Sequence, residues 1–155
     1  MLTRASVYRH PIHPMLNVFP LALWISSFIC YVIYLLSAAP VWHTVTLYAM
    51  GGGIIGGVLA AVPGAIDFLT LPKSRVQTIA LSHMISNVVA LTIFIIAFAL
   101  AVFGSPSSIV PFVLSIFGVL AVGTGGWLGG SLVYEHGVGV EQKQPQEAEY
   151  EHVSM

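Results

Sequence analysis

Two long stretches of this chain carry no charge at all. No Asp, Glu, Lys or Arg falls between Arg9 and Asp67, and none between Arg75 and Glu135. A water-soluble fold needs charged surface along its whole length, so the pattern excludes a soluble enzyme and a nucleic-acid binder. The composition agrees, with 57% apolar and 7% charged residues and a net charge of −1 that offers no basic patch to steer toward nucleic acid. The partner such a chain requires is the lipid bilayer.

A helix needs about 20 apolar residues to cross the hydrocarbon core. Four stretches satisfy this: residues 15–38, 45–71, 77–103 and 109–133. Breakers separate them: Ala39-Pro40, then Leu71-Pro72-Lys73-Ser74, then Gly104-Ser105-Pro106-Ser107-Ser108. Short connections favour antiparallel neighbours, so the expected fold is an all-α membrane protein, a four-transmembrane-helix up-down bundle. No apolar–polar alternation of the kind a β-barrel needs is present. The membrane domain is expected to occupy residues 1–140, and the polar residues 141–155, rich in Glu and Gln, read as a disordered tail.

All five basic residues, Arg4, Arg9, Lys73, Arg75 and Lys143, fall in the N-terminal arm, the second connection or the tail. With four crossings those segments share one side, and the positive-inside rule makes it cytoplasmic, with both termini inside. The first apolar run exceeds the 7–15 residues of a signal-peptide core and reads as a retained span. Cys30 is a single cysteine inside that span, which leaves no disulfide framework and no thiolate metal site.

On this topology the polar groups gather at the cytoplasmic end. His10 and His13 open the first span, Asp67 closes the second, His83 lies about two turns inside the third with Asn87 one turn deeper, and Tyr134, Glu135 and His136 follow the fourth. His43 sits at the opposite face as an interfacial residue, and His152 in the tail. Ser86 and Asn87 follow His83 at helical spacing, and His10, His13 and Asn17 repeat the pattern in the first span. Pro11 and Pro14 are expected to delay that helix to about Pro14. Two histidine-bearing stripes would then face each other across the bundle.

Ionisable groups inside a bilayer are costly and face a bundle interior or a watery cavity. Each also has a purely structural reading: His10 and His136 as interfacial anchors, His83 as a hydrogen-bonded tie, Asp67 as the partner of Lys73 or Arg75 or as a cap. Trp24, Trp42 and Trp127 read as anchors or packing residues. Glycine runs at 51–57 and 123–130 supply small-xxx-small pairs for close helix approach, or room for a flat cofactor. The first run formally matches a dinucleotide fingerprint, but it follows no strand and lies in a span.

The opening His10-Pro11-Ile12-His13-Pro14-Met15 with Phe19-Pro20 resembles that of a bacterial membrane-protein family known as domain of unknown function 2231. The resemblance continues through Pro63-Gly64-Ala65-Ile66-Asp67, His83 with Asn87, and Gly129-Gly130-Ser131-Leu132-Val133-Tyr134-Glu135-His136-Gly137. It covers about residues 10–140. It implies a bacterial inner-membrane location and carries no settled activity. Some relatives are joined to redox modules of the Rieske iron–sulfur type, which tilts the expectation toward electron transfer; this chain has no such module.

Three functions remain open. The leading one is b-type haem binding for one-electron transfer or redox sensing, with His13 and His83 as the preferred axial pair and His10 and His136 as substitutes. Asn17, Asn87 or Asp67 would then hydrogen-bond a ligating ring. A redox partner protein or a quinone would exchange the electron, in a component that is not a stand-alone enzyme. The second is a non-haem metal site built from His13, His83 and Asp67. The third is a structural or interaction subunit, with the glycine faces serving packing or a homo-oligomer.

Overall fold

A computed structural model describes residues 5–8, 10–105 and 107–140. The polar tail expected at 141–155, together with Arg4, Arg9 and Lys143, lies outside the described residues. A short antiparallel pair, β1 (Ser6–Val7) and β2 (His10–Pro11), precedes four helices: α1 (Ile12–Ser37), α2 (Pro40–Thr70), α3 (Arg75–Phe103) and α4 (Val110–Tyr134). All four are long and apolar enough to cross a membrane. Their outward faces are apolar, with Leu36, Leu69, Phe103 and Trp127 among the most exposed side chains, as lipid contact requires.

The boundaries follow local chemistry. α1 starts at Ile12, earlier than expected, with Pro11 at its N-cap and Pro14 in the first turn. A first-turn proline costs nothing, because its missing N–H would be unpaired there in any case. His13 therefore lies inside the helix, one turn before Asn17. α1 stops at Ala38, which adopts a left-handed conformation (φ 54°) and returns its N–H to the Tyr34 carbonyl at 2.8 Å. Proline then favours an immediate restart: α2 begins at Pro40, five residues ahead of the expected 45.

The bundle is two antiparallel hairpins, α1–α2 and α3–α4, packed most extensively within themselves. They repeat each other. One fixed interval relates His13, Asn17, Pro20, Trp24 and Ser27 of α1 to His83, Asn87, Ala90, Phe94 and Ala97 of α3. A second relates Met50, Gly53, Ala60 and Gly64 of α2 to Ser115, Gly118, Gly125 and Gly129 of α4. Burial follows the repeat, for Pro20, Trp24 and Ser27 are buried as Ala90, Phe94 and Ala97 are. Two parallel repeats of this kind imply an approximate twofold axis along the bundle. Trp24 and Phe94 meet across it, with centroids 4.6 Å apart and planes 8° from parallel.

Glycine makes this packing possible. A Cβ on Gly53 would stand 2.5 Å from the Trp24 indole, and one on Gly118 would stand 2.7 Å from Phe94. Each aromatic ring thus lies in a glycine notch of its own hairpin partner. Most of the glycines that were candidates for cradling a flat cofactor are occupied in this way by the protein's own side chains.

Candidate functional site

His13 and His83 face each other where the two hairpins meet, with ring centroids 5.9 Å apart and planes at 89°. Each ring is held the same way. His13 Nδ1 lies 2.8 Å from the Ala60 carbonyl of α2, and His83 Nδ1 lies 2.8 Å from the Gly125 carbonyl of α4. A carbonyl only accepts, so both Nδ1 atoms donate their protons and each neutral ring keeps its lone pair on Nε2.

The seats are built from backbone. Pro63 has no N–H for the Leu59 carbonyl and loosens the α2 ladder next to Ala60. Gly64, one turn beyond Ala60, leaves the His13 ring its space: a Cβ there would be 2.7 Å from Nδ1. Gly129 does the same for His83, where a Cβ would be 3.0 Å from Cε1. The Pro63-Gly64 step, Gly125 and Gly129 therefore serve the two imidazoles directly.

Of the expected ring partners, Asn87 does reach the His83 imidazole. Neither asparagine holds an Nδ1 proton, because backbone carbonyls do so. Asn87 Nδ2 donates to the His83 carbonyl at 2.8 Å and to the His83 Nε2 lone pair at 3.3 Å, so a metal at that nitrogen would displace Asn87. Its counterpart Asn17 lines, with Asn87, Trp24 and Gly126, a cavity of about 20 Å³ between α1, α3 and α4. That volume holds about one water.

The other candidates stand apart from the pair. His10 Nδ1 donates to the Tyr8 carbonyl at 2.8 Å within the β1–β2 turn. His136 Nδ1 donates to the Ser131 carbonyl at 3.1 Å at the end of α4. Asp67 Oδ1 accepts the Ala5 N–H at 2.9 Å, tying the N-terminal hairpin to the end of α2. Among the described residues it forms no ion pair with Lys73 or Arg75. No three His, Cys, Asp or Glu side chains come together among the described residues to hold a metal ion, so the set His13, His83 and Asp67 is not assembled.

One cluster was not anticipated from the sequence. At the opposite end of the bundle His43 packs on Tyr34, with centroids 5.0 Å apart, and on Tyr31 at 6.0 Å; Tyr31 also packs on Phe112 at 5.5 Å. These residues come from α1, α2 and α4. Their only signal in the sequence is a tyrosine pair on one side of the Ala39-Pro40 break and a histidine on the other.

Fold and site together define a four-span integral membrane protein with an inward-facing histidine pair. The family profile described as "Predicted membrane protein (DUF2231)" matches residues 9–142, and the chain belongs to that family. No curated protein and no solved structure matches it.

Proposed function

We propose that this chain is a membrane-embedded one-electron carrier in which His13 and His83 are the axial ligands of a b-type haem. The observation behind this reading is the pair itself: two imidazoles 5.9 Å apart, each with Nδ1 fixed on a carbonyl. With Nδ1 of each ring held by the backbone, Nε2 of His13 and of His83 are the atoms that would hold the iron. Hydrogen bonding of Nδ1 fixes the tautomer and raises ligand basicity.

The size of the donor set favours haem over a bare ion. Zinc takes four ligands, and two imidazoles with no third donor among the described residues leave its shell half empty. A haem iron brings four nitrogens with it and asks the protein only for the axial pair. When bound it would supply one-electron chemistry. The chain's own residues orient the two rings through the Ala60 and Gly125 carbonyls. The two rings are in edge contact and fill the space beside Gly64 and Gly129, so loading a macrocycle requires the seam between the hairpins to open.

That close packing favours a second reading, in which the histidines are interhelical ties in a protein without redox chemistry. Polar side chains bonded across helices contribute about 0.6 kcal/mol on average in membranes.

We read the histidine end of the bundle as the cytoplasmic one, in a bacterial inner membrane with both termini inside; Lys73 and Arg75 support this reading through the positive-inside rule. The electron would then pass to a redox protein at that face or to a quinone.

The test is a reduced-minus-oxidised absorption spectrum of the protein purified in detergent after expression with added haem precursor. About one haem per chain with sharpened reduced bands supports the carrier. A protein that stays colourless supports the structural reading.

A further inference from the structure

The end of the bundle opposite the histidine pair holds a cleft of about 250 Å³, lined by Tyr31, Tyr34, Leu35 and Ala38 of α1 and its C-cap and by Ser107, Ser108 and Ile109 before α4. The Tyr31 ring is only 4% exposed, while its hydroxyl and that of Tyr34 are not buried and are open to a ligand in the cleft. Ser107 adds a hydroxyl, within 3.1 Å of Ser105 Oγ. Outside the cleft lining, His43 packs on Tyr34 and Tyr31. Phe112, itself stacked on Phe28 with centroids 5.7 Å apart, packs on Tyr31, so the two phenol rings that form the aromatic wall are held in place.

We infer that this cleft binds the headgroup of a lipid-soluble quinone. Four features select that chemistry. The wall is aromatic and suits a flat ring. The free donors are hydroxyls, which suit carbonyl oxygens. The volume matches one substituted six-membered ring and is too small for a porphyrin. The cleft sits at the helix ends, where an apolar tail runs into lipid past the exposed Leu35 and Ile109. Charge argues against a phospholipid headgroup, because neither connection at this end carries a Lys or Arg to pair with phosphate. Tyr31 lies about 27 Å along α1 from His13, so the two sites occupy opposite faces of the bilayer. The inference rests on the cleft and does not depend on haem.

The experiment uses the full chain in lipid nanodiscs, produced with and without added haem precursor. Binding of a labelled short-tailed ubiquinone is measured, and an azido derivative maps the site. Saturable binding near one per chain is expected, with crosslinks in residues 31–43 and 105–112. Tyr31→Phe and Tyr34→Phe keep the aromatic wall and remove one hydroxyl each, so each should weaken binding about fivefold while leaving the melting temperature in place. Uptake equal to that of empty nanodiscs, crosslinks spread over lipid-facing residues, or affinity unchanged in both variants would overturn the assignment. Binding that is equal with and without haem leaves it standing whatever the spectrum of the histidine pair shows.

Discussion

Trp24 lies flat against Phe94, one residue from each hairpin, with ring centroids 4.6 Å apart. The contact joins the two repeats at the bundle centre, and the two rings differ in one respect. Trp24 Nε1 is buried without a hydrogen-bond partner, whereas Phe94 has no polar atom to satisfy. Trp24→Phe removes an unpaired donor that costs about 1–3 kcal/mol and leaves a smaller ring in its notch. The two effects oppose, so we expect a net change within about 1 kcal/mol in reversible detergent unfolding, where Phe94→Ala should cost about 3–5 kcal/mol.

The glycines divide into seats and bystanders. Gly64→Ala would drive a methyl to 2.7 Å from His13 Nδ1, and Gly129→Ala to 3.0 Å from His83 Cε1. Overpacking of this kind costs about 1–3 kcal/mol, with Gly64 the worse. A methyl on Gly123 would meet nothing within 4 Å, so Gly123→Ala should stabilise by up to about 1 kcal/mol through helix propensity. Denaturant titration of the three variants distinguishes a histidine seat from a generic small-residue helix face, for which all three would behave alike.

Ala38 holds a left-handed conformation at φ 54° between α1 and α2. A side chain there costs about 1–2 kcal/mol that glycine avoids. Ala38→Gly should therefore raise stability by about 1 kcal/mol, less the added chain entropy of glycine when unfolded. A fall in stability would show that the methyl makes packing contacts that outweigh the strain.

Asp67 binds the backbone N–H of Ala5 rather than a basic side chain. Asp67→Ala should free the β1–β2 hairpin, speeding amide exchange at residues 5–12 and proteolysis near them, with little change in global unfolding. Equal loss of protection throughout α2 would instead make Asp67 a determinant of the whole bundle.

The bundle was legible because charge-free runs of this length admit few other solutions, and His13, Asn17, His83 and Asn87 were legible because histidine and asparagine stand out in apolar helices. The seats were not. Ala60 and Gly125 act through carbonyls, which every residue has, and only the α1–α2 and α3–α4 packing selects these two. The glycine runs at 51–57 and 123–130 suggested room for a cofactor, whereas the space beside Gly53, Gly57, Gly125 and Gly129 is filled by Trp24, Asn87 and His83. The repeat was hidden because its halves share only small or polar landmarks, with Trp24 answered by Phe94 and Ala60 by Gly125. The Tyr31–Tyr34–His43 cluster depends on where α1 and α2 turn. Polar and aromatic residues at 42–46 obscured the helix start at Pro40.

The most direct test of the central claim is the absorption spectrum of four single variants beside the parent chain, each purified after expression with haem precursor. His13→Ala and His83→Ala should each abolish the low-spin haem bands while preserving helix content. His10→Ala and His136→Ala, whose rings are bound to their own local turns, should keep them. A parent chain that binds no haem, or bands that survive loss of His13 or His83, would contradict the account and leave the pair as a structural tie between the hairpins.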